Sequence, residues 1–326
     1  MYKNFFGLKE NPFNVNPDPR YLFLTDHIQE ALACLTYGIE TRKGFILLTG
    51  EVGTGKTTLL NKLLDWLHEQ NIATAFVFNP RLSVTQFFDF MMADFGIPCE
   101  NRIKSQMLLT LNQWLLERYK AGERAVLIVD EAQNLSPEML EEIRLLTNLE
   151  TSTEKLLQIV LCGQPELKQK LVQPELRQLR QRITLRAKTR ALTLEETRGY
   201  IDRRLRIAGG SMETVFSSEA VDRLYHHARG IPRITNLLAE HALIAAFVEQ
   251  QKPITPDIVD TVAQENEFGE PEAAPSASTE AAPLPEARSN EREALVDSLL
   301  RALQLMTDRA NRAESHNDKQ RPTGSG

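Results

Sequence analysis

The eight residues Gly50-Glu51-Val52-Gly53-Thr54-Gly55-Lys56-Thr57 constrain this chain more than any other stretch. They fit the pattern G-x-x-x-x-G-K-[S/T], a loop that leads straight from a strand into a helix. The flanks agree: Phe45-Ile46-Leu47-Leu48-Thr49 reads as a buried strand, and Thr57 to Leu64 as an amphipathic helix. Three glycines let the backbone curl so that its N–H groups point at phosphate oxygens, and the positive end of the new helix favours the same anion. Gly50, Glu51, Val52, Gly53, Thr54, Gly55, Lys56, Thr57 and Thr58 are therefore the candidate nucleotide contacts. Lys56 is expected to reach the β- and γ-phosphates of ATP, and the Thr57 hydroxyl to ligate Mg²⁺. The competing reading, a glycine-rich turn that matches by chance, does not require a strand before it and a helix after it.

A second segment converges on the same chemistry. Ala125-Val126-Leu127-Ile128-Val129 is continuously apolar and ends in Asp130-Glu131. Such a run suits a central parallel strand covered on both faces, whose carboxyl end is where an open α/β sheet places its ligands. Asp130 is expected to hold Mg²⁺ directly or through water, and Glu131 to polarise the water that attacks the γ-phosphate. Two acidic residues also suit the first turn of a helix, here one over Pro137 to Leu149. With a phosphate loop upstream the catalytic reading is preferred, and the paired carboxylates argue for hydrolysis rather than nucleotide binding alone.

Composition allows two domains and a tail: 326 residues, 42% hydrophobic and 25% charged. A net charge of −6 excludes a global polycation but not a local basic face. Cys34, Cys99 and Cys162 have no metal-ligand spacing and read as reduced thiols of a cytoplasmic protein. His226-His227 reads as a helix-surface pair. Neither a signal pattern nor an apolar run of about 18 residues is present, so no transmembrane segment is expected.

Strands at 45–49, 73–80, 125–131, 156–164 and 183–185 alternate with helical patterns, including one from Asp26 to Thr41, which predicts a parallel sheet. From Thr193 the pattern is all helical, with a Thr193/Glu196 capping box, Ser217-Ser218, Pro232 and Thr255-Pro256 as helix starts. The expected domains are a core at 1–191, a helical lid at 192–267, an acidic Pro/Ala-rich disordered linker at 268–289, a short amphipathic helix at 290–312 and a disordered tail at 313–326.

Phosphate loop, Asp-Glu strand and C-terminal helical lid together resemble the AAA+ P-loop NTPases, an α/β fold with a parallel sheet covered on both faces plus a small α-helical lid. That resemblance implies further positions. Gln164, on the strand expected beside the Asp-Glu strand, would orient water near the γ-phosphate as sensor 1. Arg233, in Gly230-Ile231-Pro232-Arg233, resembles the sensor 2 arginine that bridges lid and nucleotide. Asn79, at the end of the second strand, would hold Glu131 inactive until a partner binds, or else simply end the strand. In Leu176 to Ile183 an arginine would complete a neighbouring subunit's site in trans, Arg182 before Arg180; a solvated basic helix end is the alternative. A finger used in this way requires a homo-oligomer, a ring or a filament.

A narrower resemblance rests on Phe5-Phe6-Gly7-Leu8, Asn11-Pro12-Phe13, the phosphate loop, Asp130-Glu131-Ala132-Gln133-Asn134-Leu135-Ser136, Arg144 to Glu150, Gly163-Gln164-Pro165-Glu166-Leu167 and Gly230-Ile231-Pro232-Arg233. It is to the ExeA-type ATPases, the general secretion pathway protein A group, and covers residues 1 to about 267. The resemblance implies an ATPase that acts with type II secretion or with mannose-sensitive (MSHA-type) pilus biogenesis. Full-length secretion members continue into a transmembrane helix and a peptidoglycan-binding domain. The acidic linker here departs from that pattern: either the chain is a shorter relative, as in the pilus system, or the downstream part is removed. Membrane recruitment then needs an anchored partner protein. The alternative function is a DNA-dependent regulator resembling transposition ATPases, with Lys168, Lys170, Arg177, Arg198, Arg203, Arg204 and Arg206 as the basic surface. Glu195, Glu196 and Asp202 interleave with those arginines, as on a solvated helix.

Overall fold

The computed structural model describes residues 1–14, 16, 18–78, 82–98 and 103–266. The expected linker, amphipathic helix and tail after 267, together with Asn79 and Cys99, lie outside the described residues.

Two helices, α1 (Tyr2–Phe6) and α2 (Asp26–Glu40), precede the alternating part. That part runs β1 (Phe45–Thr49), α3 (Lys56–Glu69), β2 (Ala73–Val77), α4 (Val84–Asp94), α5 (Lys104–Lys120), β3 (Ala125–Val129), α6 (Pro137–Leu146), β4 (Leu157–Gly163), α7 (Pro165–Val172), α8 (Arg177–Arg182) and β5 (Ile183–Lys188). The five strands are parallel in the order β2-β3-β4-β1-β5. Strand position explains strand composition. The three inner strands, β1, β3 and β4, are buried at every residue, as their largely apolar runs require; Gln158 of β4 is buried too, with its amide bound to the Gly44 N–H and the Lys155 carbonyl. The edge strand β5 alternates, with Ile183 and Ala187 buried and Thr184, Arg186 and Lys188 exposed.

Side chains of alternate parity sort to the two faces. Leu47, Leu127, Val129, Ile159 and Leu161 pack with Phe87, Met91, Leu111, Leu140 and Leu167 of α4 to α7. Ile46, Leu48, Val126, Ile128 and Val160 pack with Leu35, Ile39, Leu59 and Leu63 of α2 and α3. Truncating any of these to alanine removes packing worth about 2–5 kcal/mol. β5 extends three residues past the expected Leu185, because pairing with β1 continues to Thr49↔Lys188. α6 stops at Leu146, short of the expected Leu149. The α7 helix, opened by Pro165 and burying only Leu167 and Leu171, is too short to show a clear periodicity.

Five helices form the second unit: α9 (Leu194–Ile207), α10 (Met212–Val215), α11 (Ser218–Ala228), α12 (Pro232–Val248) and α13 (Pro256–Glu265). α9 opens on the expected capping box, Thr193 with Glu196. Residues 1–13 fall within the domain expected at 1–191, on its lid-side approach to the nucleotide; there Phe6, Leu8 and Phe13 join Ile201, Leu205, Leu224, Leu238 and Val259 in the core of the helical unit. Gly7 (φ 73) ends α1 after five residues, so these apolar side chains have no helical repeat to offer a sheet and instead plug gaps between lid helices. Polar ties hold them there: Tyr2 Oη and Asn11 Nδ2 donate to Glu240 Oε1 at 2.8 and 2.9 Å, and the Lys9 N–H donates to Ala208 O at 2.8 Å. Among the described residues no helix is long and apolar enough to cross a membrane.

At the start of the second unit the chain is tied to the turn that precedes α12. The Leu192 N–H donates to Gly230 O at 2.8 Å, and Gly230 has φ +72. A Cβ there would lie 2.0 Å from the Leu192 carbonyl oxygen. Gly230→Ala therefore combines left-handed strain with a backbone clash and should cost about 3 kcal/mol. Thermal unfolding should show a midpoint lower by about 5–10 °C; an unchanged midpoint would mean that the junction accepts a side chain.

Candidate functional site

β1 delivers the phosphate loop to the carboxyl end of the sheet, between β4 and β5. The Gly50 N–H donates to Gly163 O at 3.2 Å, and Gly55 (φ 92) starts α3. Gly50 is hemmed in, since a Cβ would stand 1.9 Å from Thr189 Oγ1. The Thr54 hydroxyl donates to Glu51 O at 2.8 Å, so the Thr189 hydroxyl, 2.7 Å away, donates to Thr54. Lys56 is 6% exposed, and its ammonium donates to Gly50 O at 2.8 Å and Glu51 O at 3.0 Å. The loop thus holds its own cation against its own carbonyls.

The carboxylates arrive at the end of β3. The Asp130 N–H donates to Val77 O at 2.9 Å, and Asp130 Oδ1 accepts the Glu131 N–H at 2.8 Å. Burial pushes the Asp130 carboxyl above its ordinary range, opposed by the Glu131 N–H, the Cys162 thiol and the nearby Lys56 ammonium. Burial in turn pushes the Cys162 thiol well up, and it stays protonated. Glu131 adopts φ 52 and turns away from the strand line. Its Oε2 accepts Gln133 Nε2 at 2.5 Å and Gln164 Nε2 at 3.2 Å.

A cleft of about 380 Å³ lies between core and lid. Val52, Gly53, Thr54, Gly55, Lys56, Thr57 and Thr58 line it, with Glu131, Gln164 and Arg233. Gly50, Glu51 and Asp130 stand outside its lining. Arg233 comes from the start of α12, and its N–H donates to Gly53 O at 3.2 Å. Gly53 permits this approach, because a Cβ would lie 2.8 Å from Arg233 Cβ. Arg182 is not in the cleft; its guanidinium is bound to Thr147 Oγ1 and, at 2.8 Å, to Asn148 Oδ1. Asn79 lies outside the described residues, and the groups seen on Glu131 are Gln133 and Gln164.

Several further residues line the cleft besides the expected nucleotide contacts. Tyr21, Leu22, Phe23, His27 and Ile28 come from the N-terminal approach, and Leu192, Tyr200 and Asn236 from the lid. Arg204 joins them. Placed by the sequence on a basic face, it is buried. It donates to Pro12 O at 2.5 Å, Asn14 O at 3.0 Å and Tyr200 Oη at 2.9 Å, and stacks 4.4 Å from the Tyr21 ring centre. Tyr200 Oη passes the bond on to Asn236 Oδ1 at 2.8 Å. The readable signal was Tyr200 and Arg204 at i, i+4, which puts both on one helix face.

The donor set fits Mg²⁺. It offers one hydroxyl, Thr57, and one buried carboxylate, Asp130, whose desolvation a divalent cation would offset. Among the described residues no cluster of three His, Cys, Asp or Glu forms an all-protein cage. Few protein oxygens, with room for water and phosphate, is how Mg²⁺ is held.

Comparison with known proteins agrees with this geometry. Residues 39–171 match the AAA domain family. General secretion pathway protein A of Aeromonas hydrophila is 46% identical over 248 residues, 76% of this chain and 45% of that protein, so the chain spans under half of this relative's length. Among solved structures, ORC2 of Aeropyrum pernix (TM-score 0.60, 16% identity, 79% of this chain and 72% of that one) shares the fold. So does Cdc6p of Pyrobaculum aerophilum (TM-score 0.58, 18% identity, 81% and 70%). The chain is a member of the AAA+ P-loop ATPases, and within them is related to general secretion pathway protein A.

Proposed function

We propose that this chain binds Mg²⁺-ATP in the cleft, hydrolyses it, and uses the resulting movement of lid against core to assemble or remodel a type II secretion or MSHA-type pilus machinery. One observation carries the nucleotide part: residues far apart in the chain, Lys56 and Thr57 of α3, Glu131 after β3, Gln164 after β4 and Arg233 of α12, line one cleft at the carboxyl end of a parallel sheet.

The loop N–H groups and the helix α3 terminus bind the phosphates. Lys56 exchanges its two loop carbonyls for β- and γ-phosphate oxygens, a better match for a buried ammonium. Thr57 and Asp130 would hold Mg²⁺, which would supply positive charge to offset that of the phosphates. Glu131 accepts the proton of the attacking water, and the Gln164 amide orients that water. Arg233 reaches the phosphates from the lid. Its backbone is tied to Gly53, so a change at the loop reaches α12 without a slack segment between. Arg182 serves a neighbouring copy in trans, for which it must leave Thr147 and Asn148, and activity then depends on homo-oligomer formation. The proposed domain division keeps the core to 191 and the lid from 192 to 267, with residues 1–13 assigned to the lid.

The secretion setting rests on the relative's name and on 46% identity. The partner is a membrane-anchored component that recruits a cytoplasmic ATPase. The DNA-dependent alternative is less favoured by the surface it needs. Arg198 is paired with Asp222 and Glu195, Arg206 with Asp202, and Arg204 is turned inward. Turnover measured with and without duplex DNA at two salt concentrations separates the readings, since DNA stimulation that falls with salt would select the second.

Lys56→Ala should lose ATP binding in a titration with a fluorescent analogue. Glu131→Gln should bind ATP as the parent does and turn it over about 10²–10⁴-fold more slowly. Arg182→Ala should bind normally and lose about 10³-fold in turnover; undiminished turnover at high protein concentration would remove Arg182 from the site.

A further inference from the structure

Glu131 is held by more than its strand. Gln133 sits between two groups of opposite need: the Glu131 carboxylate can only accept, and the Gln164 backbone N–H can only donate. The Gln133 amide serves both, donating from Nε2 to Glu131 Oε2 at 2.5 Å and accepting at Oε1 from the Gln164 N–H at 3.1 Å. That double use fixes which end of the amide is which. The Gln164 side chain adds its own bond to the same oxygen, Oε2, at 3.2 Å. Both donors thus fall on one carboxylate oxygen, and Oε1 receives neither.

Two features outside this triad are shaped around Gln133. A Cβ at Gly163 would lie 2.8 Å from Gln133 Oε1, so the end of β4 leaves a gap that the amide fills. The backbone behind Gln133 is pinned as well, since Lys170 of α7 donates to Gln133 O at 2.5 Å and Leu135 O at 2.7 Å. The amide is therefore held at its backbone and at both ends of its side chain.

We propose that Gln133 is the positioning residue for Glu131. It keeps one carboxylate oxygen occupied so that the other meets the attacking water, and keeps hold when ATP arrives and the Gln164 side-chain amide turns from Glu131 to the γ-phosphate. This rests on the reading of Glu131 as the water-activating base, and makes Gln133 the constant contact of that base and Gln164 the exchangeable one. Loss of Gln133 would let the carboxylate swing, and a misplacement of about 1 Å at a reacting group can cost on the order of 100-fold.

The test uses the full chain and four proteins: parent, Gln133→Leu, Glu131→Gln and the double variant. Gln133→Leu keeps the size and removes both amide bonds. The expected result is fluorescent-ATP binding within about 3-fold of the parent, KM within about 3-fold, and kcat lower by about 10- to 100-fold. Because Gln133 acts through Glu131, the double variant should be no slower than Glu131→Gln alone. A purely structural role predicts instead that the two losses multiply, which would overturn the proposal, as would a Gln133→Leu kcat within about 2-fold of the parent beside an inactive Glu131→Gln. Turnover that survives in Glu131→Gln would overturn it at its base, and is a distinct outcome because it removes Glu131 rather than Gln133. Should Gln133→Leu fold poorly, Gly163→Ala displaces the same amide from the other side and is expected to give the same split between kcat and KM.

Discussion

Burial of both faces of β1, β3 and β4 is the constraint from which the site follows. Every residue of these strands is covered, so they are apolar almost throughout: the exceptions are Thr49 and Gln158, whose amide is used up by the Gly44 N–H and the Lys155 carbonyl, and the polar groups of the site begin where the strands stop. The phosphate loop, Asp130-Glu131 and Gln164 occupy those three stopping points. Parallel pairing in register then brings them side by side without any further device: Val129 lies opposite Leu161, and Thr49 opposite Gly163. The site is a by-product of strand order as much as of its own residues.

Close approach at glycine does the rest. Gly53 lets Arg233 lie against the loop, Gly50 lets Thr189 do so from the far end of β5, and Gly163 lets the Gln133 amide reach the strand. At each place the space a methyl group would fill holds an atom of another segment. Core and lid are consequently joined at the loop itself, through the main-chain bond from Arg233 to Gly53.

The parts of this site legible in the sequence are those whose chemistry needs neighbouring residues. Gly50 to Thr57 and Asp130-Glu131 are contiguous, and a strand or a helix on either side gives them context. The α/β alternation and the Thr193/Glu196 cap were legible for the same reason. What escaped depends on residues brought together from afar. Thr189 meets Gly50 across 139 positions, and Gln133 meets Gln164 across 31, with nothing local to mark either. Arg204 misled for another reason: acidic residues interleave with its helix, and charge pattern alone does not separate a solvated arginine from one that stacks between tyrosines. Residues 1–13 carry apolar side chains without a period, so sequence spacing could not say which core they complete.

That last placement bears on how the chain comes to be assembled on a ribosome. Tyr2 finds Glu240 at a separation of 238 positions, and Phe6 and Phe13 share a core with Leu238 and Val259. Apolar side chains that emerge before the sheet are thus covered only after it, while the sheet between them can close in the meantime. Contacts this distant in sequence form late and slowly, and leave apolar surface exposed for the whole time of synthesis. A nascent chain that has passed β5 but not reached α12 would carry a complete sheet while Phe6, Leu8 and Phe13 still lack much of the core that covers them, a species suited to capture by a chaperone rather than to work.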